Sequence, residues 1–228
     1  LLHDDYLMRL LRPFVAAIAQ ILFLTKEREA QKALQVINTT SEKLLGLNAA
    51  LLTLLSDRYL LDLLEKDTDY GALRCVILAA LLKQEADVYA MMGDEDAAIT
   101  RRIKALHIYM QILPIHAVPD AASHLPLLID IADHLRGFAI DPDLRRALQA
   151  YFESQNQYAQ AENIVFDLIE TSPDTQDAII NGITFYQRLL TLHPQRLAAG
   201  GLPRAEVEAG LAELMQRGND PAQSATDC

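Results

Sequence analysis

Along most of the 228 residues, apolar positions return every three or four places, the spacing that lines one face of an α-helix. Read this way, the chain predicts helices at Asp5–Leu24, Lys26–Leu45, Ser56–Leu64, Tyr70–Met92, Glu95–Leu113, Asp120–Leu135, Pro142–Glu153, Tyr158–Thr171, Asp174–Leu190 and Pro203–Gln216. The punctuation agrees: Gly93-Asp94, Pro114, Pro119, Gly137, Asp141-Pro142, Pro173, Pro194 and Gly200-Gly201 fall where helices stop or start. Alternating runs of β-branched and aromatic residues, the mark of strands, are missing from the sequence. The expected class is all-α. Residues 1–217 are expected to form one helical domain, and the polar stretch 218–228 a flexible tail.

The first helix is the most apolar. From Phe14 to Leu24 only Gln20 is polar, a run of eleven residues where a membrane span needs about 20. On a helical wheel Leu7, Leu10, Leu11, Phe14, Ile18, Ile21 and Leu22 share one stripe, and Arg9, Arg12, Ala16 and Gln20 lie opposite. The segment 1–24 is therefore an amphipathic helix whose stripe is expected to be buried, within the chain or against a second copy. Lipid is the less favoured cover, because an interfacial helix carries a basic polar face and this one offers only Arg9 and Arg12. Pro13 removes a backbone donor and predicts a kink or a join.

Charge narrows the partners. Twenty basic against 31 acidic residues give a net −11, which repels nucleic-acid backbones and anionic membrane surfaces. The densest basic group is Arg101, Arg102 and Lys104. Of two cysteines, Cys75 sits in an apolar run and reads as a small core residue, while Cys228 ends the tail. With no disulfide framework and no secretory signal in view, a cytoplasmic location is expected.

Two segments resemble each other in kind. One reads Ala86-x-x-Tyr89-x-x-x-Gly93-x-x-x-x-Ala98, continuing to Ala105-Leu106. The other runs Phe152…Asn156-Gln157-Tyr158-x-x-Ala161-Glu162…Pro173. Both resemble the tetratricopeptide unit, in which two antiparallel helices meet through small residues and turn at a left-handed position. Asn156 stands in place of the turn Gly, which Asn can occupy, and Arg102 stands where the unit has a large apolar residue. The resemblance implies an irregular α-solenoid of helical hairpins; a generic helical bundle is the alternative.

Further stretches are similar to an uncharacterised bacterial family with no assigned activity. They are Asp5-Tyr6-Leu7-Met8-Arg9 with Ile21-Leu22-Phe23, then Leu44-Leu45-Gly46-Leu47, then Lys83-Gln84-Glu85-Ala86-Asp87-Val88-Tyr89 with Gly93-Asp94-Glu95-Asp96. Phe185-Tyr186 and Gly201-Leu202-Pro203-Arg204-Ala205-Glu206 complete the likeness. It implies a bacterial protein and no catalytic residues to carry over.

Chemistry-bearing motifs are scarce. No phosphate-binding Gly loop, zinc-protease motif, paired Cys motif or nucleophile elbow is present. Asp67-Thr68-Asp69-Tyr70-Gly71 opens like a calcium loop, but Leu78 stands where the bidentate Glu belongs. His124, Asp130, Asp133 and His134 are the most site-like group; Asp130 and His134, four apart, share a helix face. One carboxylate and one imidazole make half a metal site, and a solvated His–Asp pair is the preferred reading. The eight tyrosines are spread one per helix, as packing residues rather than a base-stacking platform. No catalytic residue, cofactor or metal is expected.

The expected function is protein–protein interaction or scaffolding. The tetratricopeptide resemblance places Lys83, Asp87 and Ala90 of one hairpin, and Arg146, Ala150 and Glu153 of the other, on a partner-binding face; ordinary solvated helix positions are the alternative. Homo-oligomerisation, or membrane-peripheral assembly through the first helix, is the second expectation.

Overall fold

A computed structural model describes residues 2–65, 70–113 and 125–219. Expectations placed on Asp67–Asp69, Pro114, His116, Pro119, His124, the start of helix Asp120–Leu135, Cys228 and the side chains of His3-Asp4-Asp5 lie outside what it describes. The described residues are helical, with no strand among them. The chain divides into two compact units, Leu1–Leu135 and Arg136–Cys228.

Unit 1 holds α1 (Leu2–Lys26), α2 (Ala30–Leu45), α3 (Ala49–Leu54), α4 (Asp57–Glu65), α5 (Gly71–Met92), α6 (Glu95–Ile112) and α7 (Leu125–His134). Its centre is α5, which packs on α1, α2, α4 and α6. A helix covered on several sides must be apolar around most of its circumference. Accordingly Cys75, Val76, Ile77, Leu78, Ala79, Leu81, Leu82, Ala86 and Val88 are all buried. Between α5 and α6 lie only Gly93 and Asp94. Gly93 takes φ +81°, its N–H and that of Asp94 close onto Ala90 and Tyr89 carbonyls, and Asp94 caps α6 through the Ala97 N–H at 3.1 Å. So short a link with contact along both helices requires an antiparallel hairpin. Along the two helices Ala79, Leu82, Ala86, Ala98, Arg102 and Leu106 are buried, and Tyr89 and Ile99 half-buried. The same cap logic ends α2, where Gly46 at φ +72° turns the chain so that Leu47 tucks in at 1% exposure.

Unit 2 holds α8 (Pro142–Ser154), α9 (Tyr158–Thr171), α10 (Thr175–Leu190), α11 (Pro194–Ala199) and α12 (Arg204–Gly218). α8 packs on α9, α9 on α10, and α10 on α12. Asn156 turns α8 into α9 at φ +58°, the left-handed role its sequence position suggested. Its side chain adds a function the turn alone does not explain. The Oδ1 accepts hydrogen bonds from the Tyr158 hydroxyl at 2.8 Å and from Arg196 at 2.9 and 2.7 Å, tying α11 to the turn.

Four sequence expectations need correction. Two six-residue helices, α3 and α11, were absent from the predicted set. The first helix runs unbroken through Pro13 to Lys26, so the second begins at Ala30 after a turn in which Arg28 adopts φ +58°. Leu22, placed on the buried stripe, is 51% exposed; the inward positions are Leu10, Ala17, Ile21 and Leu24. Arg101, Arg102 and Lys104 are no surface patch: each is buried or half-buried and paired with a carboxylate, Glu85, Asp87 and Asp57 respectively.

Asp57 clasps α4 onto α6. Its carboxylate meets His107 Nδ1 at 2.9 Å and Lys104 Nζ at 3.3 Å, while Lys104 also donates to the Leu55 carbonyl at 2.7 Å. Burial pushes the Asp57 pKa up, but the His107 hydrogen bond and the Lys104 charge outweigh it, and the net shift is downward. A carboxyl depressed on folding stabilises above its ordinary pKa and stops doing so as pH falls through the folded value. Asp57→Asn should therefore lower stability by about 1 kcal/mol at pH 7, a part-exposed pair being worth little more. That gap should begin to narrow below about pH 4 and shrink further as the pH falls through the depressed folded value, as denaturant melts of both proteins at pH 7 and pH 3 will read.

Candidate interaction surfaces

Four of the six residues expected to meet a partner carry charge, and all four are engaged within their own unit. Lys83 Nζ on α5 lies 2.7 Å from Asp87 and 2.7 Å from Asp130, joining α5 to α7. Burial works against its charge, yet the two aspartates prevail and hold its pKa above the usual lysine value. Asp87 also faces Arg102 at 3.6 Å. In unit 2, Arg146 on α8 pairs with Asp143 at 2.9 Å and with Asp177 of α10, and Glu153 accepts two bonds from Arg188 at 3.0 and 2.7 Å. Ala90 is half-buried and Ala150 exposed. These contacts brace each unit, so reversing Lys83 or Arg146 would disturb its packing as well as its surface.

The Asp130–His134 pair forms, at 3.5 Å, with His134 Nδ1 also 2.8 Å from the Asp130 carbonyl. Asp130 is not simply solvated, since its other oxygen holds Lys83. Among the described residues no group of three His, Cys, Asp or Glu is placed to hold a metal ion.

Surfaces that sequence reasoning missed lie on α1 and α2. The small residues Ala16 and Ala17 of α1, with Thr39 and Thr40 of α2, keep the helices from filling the space between them. This leaves an open groove of about 530 Å³. Pro13, Gln20 and Leu24 on one side and Lys32, Gln35, Val36, Lys43 and Leu44 on the other complete its walls. The chain has 31 acidic residues, and among the described residues none lines this groove. On the far side of α2 a second hollow of about 500 Å³ is bounded by Gln31, Leu34, Asn38, Leu52, Glu85 and Tyr89. Its charged floor is already matched: Glu85 pairs with Arg101 at 2.8 Å, and Arg101 donates to Thr53 at 2.9 Å. Burial and the Glu85 charge push the Tyr89 pKa above the tyrosine norm.

The outer face of α1 is a third surface. Met8, Val15, Leu22 and Phe23 are 41%, 62%, 51% and 61% exposed. The stretch Leu7–Lys26 is long and apolar enough to cross a membrane by length and composition, and 22% of its most apolar window is buried. The signal was in the sequence, since a helix apolar nearly all round needs cover on more than one side.

Residues 1–219 match a family of unknown function, DUF6483, and the chain belongs to that family. No curated protein and no solved structure matches it.

Proposed function

We propose that this member of a family of unknown function is a non-catalytic interaction or scaffold module. In this reading it is built from tetratricopeptide-like hairpins and takes up a segment of a partner protein along the α1–α2 groove. The observation that carries the reading is the groove itself: an open channel with small side chains on its floor, Lys43 on its wall beside Lys32, which is paired with Glu29, and no carboxylate lining it among the described residues. In Lys83 and Arg146 the positive charge is matched by aspartates, whereas among the described residues Lys43 meets none. A segment bearing an acid and small apolar residues fits such a channel, each rim ion pair contributing about 0.2–1 kcal/mol. Proteins co-purifying with the full chain should include one that a Lys32→Glu, Lys43→Glu variant of unchanged melting temperature fails to retain. An identical set of partners from the two baits would remove the groove from the reading.

A second reading, assembly or membrane-peripheral attachment through the first helix, is favoured by the exposed Met8, Val15, Leu22 and Phe23. It concerns the outer face of α1, not the groove, so the two readings can fail separately.

A further inference from the structure

We propose that the outer face of α1 lies on an anionic membrane surface, with Met8, Val15, Leu22 and Phe23 in the acyl boundary and Arg9, Arg12 and Lys26 at the phosphates. This rests on the second reading above and names its partner.

The objection from sequence was the lack of a polar face. In the fold that face is not needed. Leu10, Ala17, Ile21 and Leu24 are buried inside unit 1, where α1 packs on α2 and α5, so the side of α1 turned from the outer face meets protein rather than water. The apolar part of what remains outside is an arc that runs, at 100° per residue, from Leu11 through Leu22, Val15, Met8 and Ala19 to Phe23, about 120° wide, with Arg12 inside it and exposed Ala16, Arg9, Gln20 and Pro13 continuing beyond Phe23. A single partner helix covers a two-position seam, here Met8, Leu11, Val15, Ile18 and Leu22, and leaves Phe23 in water. A lipid surface covers the whole arc.

Charge decides the kind of surface. Between Tyr6 and Lys26 the chain has no Asp or Glu, although 31 occur in all. Along the helix axis Arg9 and Arg12 stand towards the N-terminal end of this face and Lys26 at its C-terminal end. Among the described residues none of the three is held by a carboxylate, unlike Lys83, Arg101, Arg102, Lys104, Arg145 and Arg146. Arg9 and Arg12, with Met8 and Pro13, line a hollow of about 360 Å³ where a phosphate oxygen can meet two guanidiniums. Their stems are long enough to lie along apolar surface while the heads reach the headgroups. The net −11 is repelled by the same membrane, but beyond a Debye length of about 8 Å at physiological salt that repulsion is screened.

The test is flotation of the full chain with vesicles of phosphatidylcholine containing about 30% phosphatidylglycerol, against phosphatidylcholine alone. Binding should be at least about tenfold stronger to the anionic vesicles, and Arg9→Gln with Arg12→Gln should remove most of that advantage, each cation near the surface being worth about fivefold. Val15→Asp with Phe23→Asp should abolish binding to both. The Gln pair leaves packing untouched and is read even if the Asp pair unfolds. No flotation, or equal flotation with both vesicles that the Gln pair leaves unchanged, overturns the proposal. So does a lipid-free dimer by light scattering that Val15→Asp, Phe23→Asp converts to a folded monomer, because a second copy would then own the face.

Discussion

Replacing Arg145 by Met should cost unit 2 about 3–5 kcal/mol. Arg145 on α8 is 1% exposed and its guanidinium pairs with Asp167 of α9, itself 5% exposed. The same guanidinium donates to the Phe138 carbonyl, and Asp167 accepts the Gly137 N–H at 2.8 Å. Burial lowers the Arg145 pKa to about 10, which leaves it charged at neutral pH. Methionine keeps most of the stem's volume but strands a buried carboxylate, and that uncompensated charge is the source of the loss. Asp167→Asn still accepts the Gly137 N–H, so the double variant Arg145→Met, Asp167→Asn should recover much of the loss. Denaturant unfolding gives the cycle, and hydrogen exchange across α8 and α9 locates it. A double variant as unstable as the two single losses combined would show the ion pair to be incidental.

Gly200→Ala should cost about 1–3 kcal/mol or more. The reason is space rather than backbone freedom, for Gly200 sits at φ −85°. A Cβ there would collide with the Asn156 carbonyl oxygen and the Tyr158 ring. Neither can retreat cheaply: the Asn156 carbonyl is backbone, and Tyr158 is 1% exposed with its hydroxyl on Asn156. The Gly200 carbonyl also receives the Ala159 N–H at 3.2 Å, so a displaced Gly200 breaks a second tie to α9. Gly93→Ala makes the contrast. Its Cβ meets nothing within 4 Å, leaving only the left-handed backbone penalty of about 1–2 kcal/mol. Equal losses from both would mean that the packing around Gly200 is looser than this account requires.

The elements with strong punctuation were legible from sequence. Asp141-Pro142, Pro173-Asp174 and Gly93-Asp94 bracket helices whose observed ends lie within a residue of expectation, because caps and prolines act locally. α3 and α11 escaped because six residues are too few to display a period. In α1 the failure has a different cause. When nearly every position is apolar, spacing cannot say which third of the cylinder faces inward, and Leu22 was assigned to the wrong side. The candidate site suffered most. Lys83, Arg101, Arg102, Lys104 and Arg145 look like surface cations in one dimension, and only the fold brings Asp130, Glu85, Asp87, Asp57 and Asp167 to them. Arg9, Arg12 and Lys43 look the same in sequence, yet among the described residues no carboxylate pairs with them. Pairing is a tertiary property, and local pattern does not carry it.

The central claim is that the α1–α2 groove receives a partner, and a photo-crosslinking residue at Lys43 tests it most directly. Lys43 is exposed and lines the groove, and a control crosslinker at Glu208 sits on exposed α12 of the other unit. Irradiation in the native cell should give a discrete protein adduct from position 43 and none of the same mass from position 208. Adducts alike at both positions, or none at 43, would contradict the claim.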